Sequence, residues 1–204
     1  PAIPTTIGAY AGVFSWGPVN QIMTIIDERE LKRVFHAPDA NSEMSFFTCA
    51  NFLAYANRLL VVRAGHLNQR AATTGGTGLY NPNDVYYENN YIDGQANTQL
   101  YGSFSAMWHG DLGNSLKVSY LSAGAANMTY SFANWKYASY FDSAPGTSDW
   151  ASDNNGANDE IHIVVVDEDG KFTGKANTVL EKYSHLSVAS DGRGETGRLT
   201  YYPA

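Results

Sequence analysis

The stretch NFLAYANRLLVVRAG, Asn51 to Gly65, changes its period halfway along. Phe52, Leu53 and Tyr55 belong to a helical pattern, while Leu59 to Val62 is a short apolar run with two β-branched residues. A helix therefore ends near Asn57 and Arg58 and feeds almost directly into a strand apolar enough to be covered on both faces. Upstream, TIGAYAGVF (Thr6 to Phe14) reads as a buried strand broken by the turn dipeptide Gly17-Pro18, and QIMTIID (Gln21 to Asp27) as a second strand. Asp27 with Glu30 three residues later fits a capping box, and Leu31, Val34 and Phe35 give the short helix that follows one apolar face. A Pro38 loop with two candidate caps, Asn41 and Ser42, leads into a helix over Glu43 to Asn57 that buries Phe46, Phe47, Ala50, Leu53 and Ala54. The order strand, strand, helix, helix, strand is an α/β core fragment.

From His66 the character changes. Residues 66–103 are rich in Gly, Asn, Thr and Tyr and carry too little apolar payload for a core of their own, so they read as a surface excursion or a set of short strands. LKVSYLSA alternates Leu116, Val118 and Tyr120 against Lys117 and Ser119, a half-buried strand. Asn127 to Asn158 is aromatic and polar, with Trp135, Tyr137, Tyr140, Phe141 and Trp150. EIHIVVVDEDGKFTG then predicts a strong strand, a tight DEDG turn and a short return strand, with one helical turn before Gly192.

The 204 residues suffice for one large domain or two small ones. The composition is 44% hydrophobic and only 16% charged, below the usual quarter, so much of the surface is neutral and polar or covered by partners. A formal charge of -7 with no Lys/Arg block argues against nucleic acid and against an anionic membrane surface. Cys49, the single cysteine, rules out an internal disulfide and a thiolate zinc site, and fits a reducing compartment. Between Phe47 and Phe52 it reads as a small buried apolar residue rather than a reactive thiol.

No cofactor motif survives inspection. Gly8, Gly12 and Gly17 lack the spacing of a phosphate loop, and Gly76 to Leu79 is not framed by strand and helix. Asp167, Asp169 and Gly170 begin like a calcium loop, but the closing position is Thr178, so a hairpin turn is the better reading. Asp153, Asn155 and Asp159 offer oxygens for a hard cation, although their Gly/Asn-rich setting is the normal composition of a connection. His36, His66, His109, His162 and His185 show no i, i+4 metal spacing, and no serine lies in GxSxG. The aromatics between Tyr80 and Trp150 suit either sugar stacking or subunit interfaces.

The N-terminal order resembles the start of the contractile tail sheath subunits of tailed bacteriophages, the T4-like group. The matching residues are Gly12-Val13-Phe14, Trp16-Gly17-Pro18, Leu31, Phe35, Asn51-Phe52-Leu53 and Val61-Val62-Arg63-Ala64. HGDLGNSLKVSY and the segment from Glu160 to Asp191 match more loosely. Sheath subunits of this group are considerably longer. The resemblance thus implies an α/β (α+β) fold in which residues 1–66 are the N-terminal part of an α/β sandwich, the sheath core. A C-terminal portion absent from this chain completes that core, and residues 67–204 form a β-rich outer domain.

The same resemblance implies a structural subunit and no enzyme, with no catalytic, cofactor-binding or metal residues. Its partners are other copies of itself in stacked rings, the tail tube protein, and baseplate and neck proteins. No nucleic acid and no membrane are implied, and assembly takes place in the host cytoplasm before incorporation in the virion. The alternatives are a carbohydrate-binding surface domain using Trp108, Trp135 or Trp150, and an α/β enzyme whose site is dispersed along the chain.

Overall fold

The computed structural model describes residues 6–66, 68–90, 101–194 and 196–201, and the chain divides after Ser115 into two compact units. In the first, β1 (Gly8–Gly12), β2 (Ile22–Ile25) and β3 (Leu59–Arg63) form a sheet in the order β1-β3-β2. β3 runs parallel to β1, with Ala9 beside Leu60, and antiparallel to β2, with Ile22 beside Val62. Parallel neighbours need a crossover, and the connection here contains α1 (Glu28–Phe35) and α2 (Glu43–Leu53).

The cap of α1 is a capping box displaced by one residue. Asp27 Oδ1 accepts from the Glu30 amide at 2.7 Å, while Glu30 Oε2 accepts from the amide of Ile26 at 3.0 Å. Leu31 and Phe35 are buried, and Phe35 stacks on Phe14 with ring centroids 4.5 Å apart. These residues join Ile25, Phe46, Cys49, Leu59 and Val61 in one core. The helix predicted to run to Asn57 ends at Leu53. Ser42 occupies its N-cap position without capping it; its hydroxyl instead exchanges hydrogen bonds with Asp39, accepting from the amide and donating to Oδ1. Phe47, expected inside, is 53% exposed. Successive helical residues diverge by about 100°, so Phe46 and Phe47 do not share one buried face. Ala54, just past the helix, is exposed too.

Gly17 has φ +96, and a Cβ there would lie 2.7 Å from the carbonyl oxygen of Val34. Gly17→Ala is therefore expected to cost about 2–3 kcal/mol, because left-handed strain and a backbone clash act together. A urea midpoint unchanged from wild type would show that the turn relaxes instead.

By compactness the first unit runs on to Ser115. Ala71 and Leu79 bridge, the Ala106 amide donates to Ala72 O at 2.7 Å, and Asn81 Nδ2 donates to Met107 O at 3.0 Å. One further short helix, α3 (Asp84–Asn90), lies in this region. Part of the surface excursion expected from His66 onward, residues 91–100, lies outside the described residues.

The second unit is an antiparallel sheet, β4 (Leu116–Ser122), β5 (Glu160–Asp167) and β6 (Thr178–Ser187), with β5 in the centre. The Tyr137 ring, with Trp135 and Phe141 beside it, packs on Val164 and Val166. The intervening aromatic segment is more regular than its composition suggests, holding α4 (Met128–Asn134), a 3-10 turn (Ala138–Tyr140) and α5 (Asp149–Asp153). Two strand expectations need correction. Tyr120 is exposed, while Ser119 takes a hydrogen bond from Trp135 Nε1 at 2.9 Å, which covers the side expected to face water. The return strand β6 is ten residues long and leaves no helical turn between Thr178 and Ser187. The tight DEDG turn opens into a loop over 168–177, with Asp167 Oδ2 accepting from the Phe172 amide, the Thr173 amide and Thr173 Oγ1 at 2.8–3.0 Å.

Candidate assembly interface

Pleating sorts the first sheet into two unlike faces. Leu59, Val61 and Ile25 point to the helices and are buried. The opposite face carries Ala9 and Ala11 of β1, Leu60 and Val62 of β3, and Ile22 and Thr24 of β2, in register across the strands. At its margins Ile7 is 49%, Val13 52% and Ile26 57% exposed, and Ile22 reaches 67%. Covering on both faces, expected for β3, is thus complete on one side only, with Leu60 and Val62 half-buried. Parallel strand pairs in α/β proteins have both faces covered, and an apolar patch of this kind marks a contact surface. A second exposed set lies on and just past α2, where Met44, Phe47 and Tyr55 face outward.

What holds this sheet to its surroundings is Arg63, the last residue of β3, in the inward series after Leu59 and Val61. Its guanidinium is buried and donates from Nε to Phe14 O at 2.9 Å, from Nη1 to Gly17 O at 2.7 Å, and from Nη2 to His109 O at 3.0 Å. Nη2 also lies 3.5 Å from Ser15 O. Burial pulls the guanidinium down to about 10, yet it stays charged at neutral pH. The carbonyl oxygens supply the partial negative charge that a carboxylate would otherwise provide. Arg63 therefore welds the loop GVFSWGPVN and the His109 segment to the central strand. Sequence reading placed Arg63 within the VVRA signature without a role; the available signal was a charged residue in phase with two buried aliphatic ones.

His109 is equally buried, its Nε2 accepting from the Asn81 amide at 2.6 Å. Burial, then Arg63 and Arg70, lower its pKa to about 4.

Trp108, Trp135, Asp159 and Cys49 have packing or hydrogen-bonding roles in this fold. Trp108 is buried, and Trp135 packs between Tyr137 and Phe141 with its indole N–H bonded to Ser119, so these rings offer no open sugar platform. Trp150 is half-buried on α5. Asp159 does not join Asp153 and Asn155 around a cation. Its carboxylate accepts from Ser187 Oγ, the Ser148 amide and Ser148 Oγ; burial alone would raise its pKa, and these bonds hold it below the usual value. Cys49 is buried in the core, and desolvation pushes its thiol up to about 11, as suits an inert apolar residue.

Residues 5–64, which contain the whole first sheet, match the family described as the tail sheath protein Gp18 domain III N-terminal region. Over 174 residues, 84% of this chain and 24% of the relative, the sequence is 26% identical to the tail sheath protein of Salmonella phage ViI. Over 60 residues, 29% of this chain and 9% of the relative, it is 43% identical to that of Enterobacteria phage T4. Over 73 residues, 36% of this chain and 10% of the relative, it is 36% identical to that of Vibrio phage KVP40. The chain thus spans about a quarter or less of the length of these relatives. The matching stretch carries a mixed sheet backed by helices, and over it the chain is similar to the tail sheath proteins of bacteriophages.

Proposed function

We propose that the chain serves as part of a sheath subunit that polymerises with copies of itself around a tail tube and contracts to drive that tube through the host envelope. The observation carrying this reading is the one-sided first sheet, whose outer face leaves Ile7, Val13, Ile22 and Ile26 exposed on the stretch that matches the sheath family. Apolar surface of this extent favours burial against protein. On this reading residues 1–66 contribute to the sheath core, which a further portion completes, and 67–204 to its outer region. The tail tube and the baseplate and neck proteins are its further partners, assembly proceeds in the host cytoplasm, and the role requires no cofactor or catalysis.

The test is negative-stain electron microscopy of the full-length parent protein, concentrated without partners. Tubes or stacked rings with a helical repeat are the expected result. Dispersed globules at every concentration and salt tested would remove self-assembly as the function.

A further inference from the structure

The loop before β5, the first residue of β5 and the bulged part of β6 bring together three side chains whose order of contacts is that of an activated serine. Ser143 Oγ lies 3.5 Å from His185 Nε2, and His185 Nδ1 lies 2.8 Å from Glu160 Oε2. With the carboxylate on Nδ1, the imidazole carries its proton there and turns the Nε2 lone pair toward the hydroxyl. The Oγ–Nε2 distance is at the outer limit of hydrogen bonding, as nucleophile–base pairs often are before a substrate tightens them.

The surroundings fix this geometry from several sides. Glu160 Oε2 is also held by the Gly146 amide at 2.7 Å. His162, fully buried, bonds through Nε2 to Ser143 O at 2.9 Å and accepts at Nδ1 from the His185 amide at 3.1 Å, so one ring positions the backbones of both nucleophile and base. Phe141 stacks on that ring at 4.4 Å. His185 itself has φ +52 at a register shift between β5 and β6. A non-glycine residue in this region is strained, and bulges re-aim side chains. The site is also reachable: Ser143 is exposed, and the His185 side chain is 40% exposed.

We propose that Ser143 is a reactive nucleophile, with His185 as its general base and Glu160 and His162 as positioning residues, able to accept an acyl or phosphonyl group from an activated ester. In the acyl case Oγ bonds to the carbonyl carbon, its proton passes to Nε2, and the alkoxide or phenolate leaves with that proton. Water then attacks the acyl-serine by the same relay and regenerates the hydroxyl. This inference rests on the second unit alone and is independent of the sheath reading.

The experiment treats the 204-residue chain with a fluorophosphonate probe and with p-nitrophenyl acetate, mapping the adduct by mass spectrometry. A single adduct on Ser143 is expected, lost in Ser143→Ala. His185→Gly keeps the positive φ without strain, so its unfolding midpoint should not fall sharply. It should slow labelling roughly 100-fold, and added imidazole should restore part of the rate, which a merely structural histidine would not allow. Labelling spread over several serines, or a rate on Ser143 unchanged by His185→Gly, would overturn the proposal.

Discussion

Arg63→Met is expected to remove about 4 kcal/mol or more from the stability of the first unit, enough to unfold it near room temperature if that unit is of ordinary stability. A buried ion can sometimes be exchanged for an apolar side chain at little cost, but only where its partners are exchanged too. Here the partners are backbone carbonyls of Phe14, Gly17 and His109, which no substitution removes. Each is left in a site Met fills with carbon, at roughly 1–3 kcal/mol apiece. Arg63→Lys should recover little, because one ammonium does not reproduce the planar fork that reaches three separate turns. Urea unfolding followed by hydrogen exchange over residues 8–17 and 101–115 reads the effect directly. A loss below about 0.5 kcal/mol for Met would mean that the carbonyls find other donors, and the weld would be no weld.

Arg63 also shows where the sequence stops being legible. β1, β2 and β3 are readable because small or β-branched runs end at Gly17-Pro18 or begin after a helical period, and α1 because Asp27 and Glu30 sit at capping distance. Those signals are local. The partners of Arg63 come from loops 46 and 49 positions away, which no window along the chain connects. β6 was missed for a different reason: TVLEKYSHLS is a largely exposed edge with two register shifts, so its apolar residues do not alternate. The short helices α3 and α4 lack buried stripes, leaving no period to find. The outer face of the first sheet was misread because an apolar run looks the same whether its second face is covered within the chain or by something else. The approach of Ser143 to His185, across 42 positions, had no sequence signal at all.

Acidification should weaken the first unit well before its carboxylates titrate, through His109. In the fold this imidazole is neutral: Nε2 accepts the Asn81 amide, and Nδ1 has no hydrogen-bond partner among the described residues. Adding a proton would set N–H against N–H beside two cations, Arg63 and Arg70, which is why burial and these charges bring the group from 6.5 to about 4. The unfolded chain therefore binds the proton first. Its contribution to stability is intact above pH 6.5, falls as pH drops, and is fully lost below about 4. The integrated loss is about 3 kcal/mol, with a steepest slope of roughly 1.4 kcal/mol per pH unit. His162 also has a lowered pKa, from burial, but lies in the second unit, so the probe must be local. Hydrogen exchange of residues 101–115 between pH 4 and 7, corrected for intrinsic rates, supplies that probe. His109→Gln should be less stable at neutral pH, because the Asn81 amide loses its imidazole acceptor, yet nearly flat across the same window. A wild-type slope that persists in His109→Gln would assign the acid response to some other group and leave His109 a packing residue.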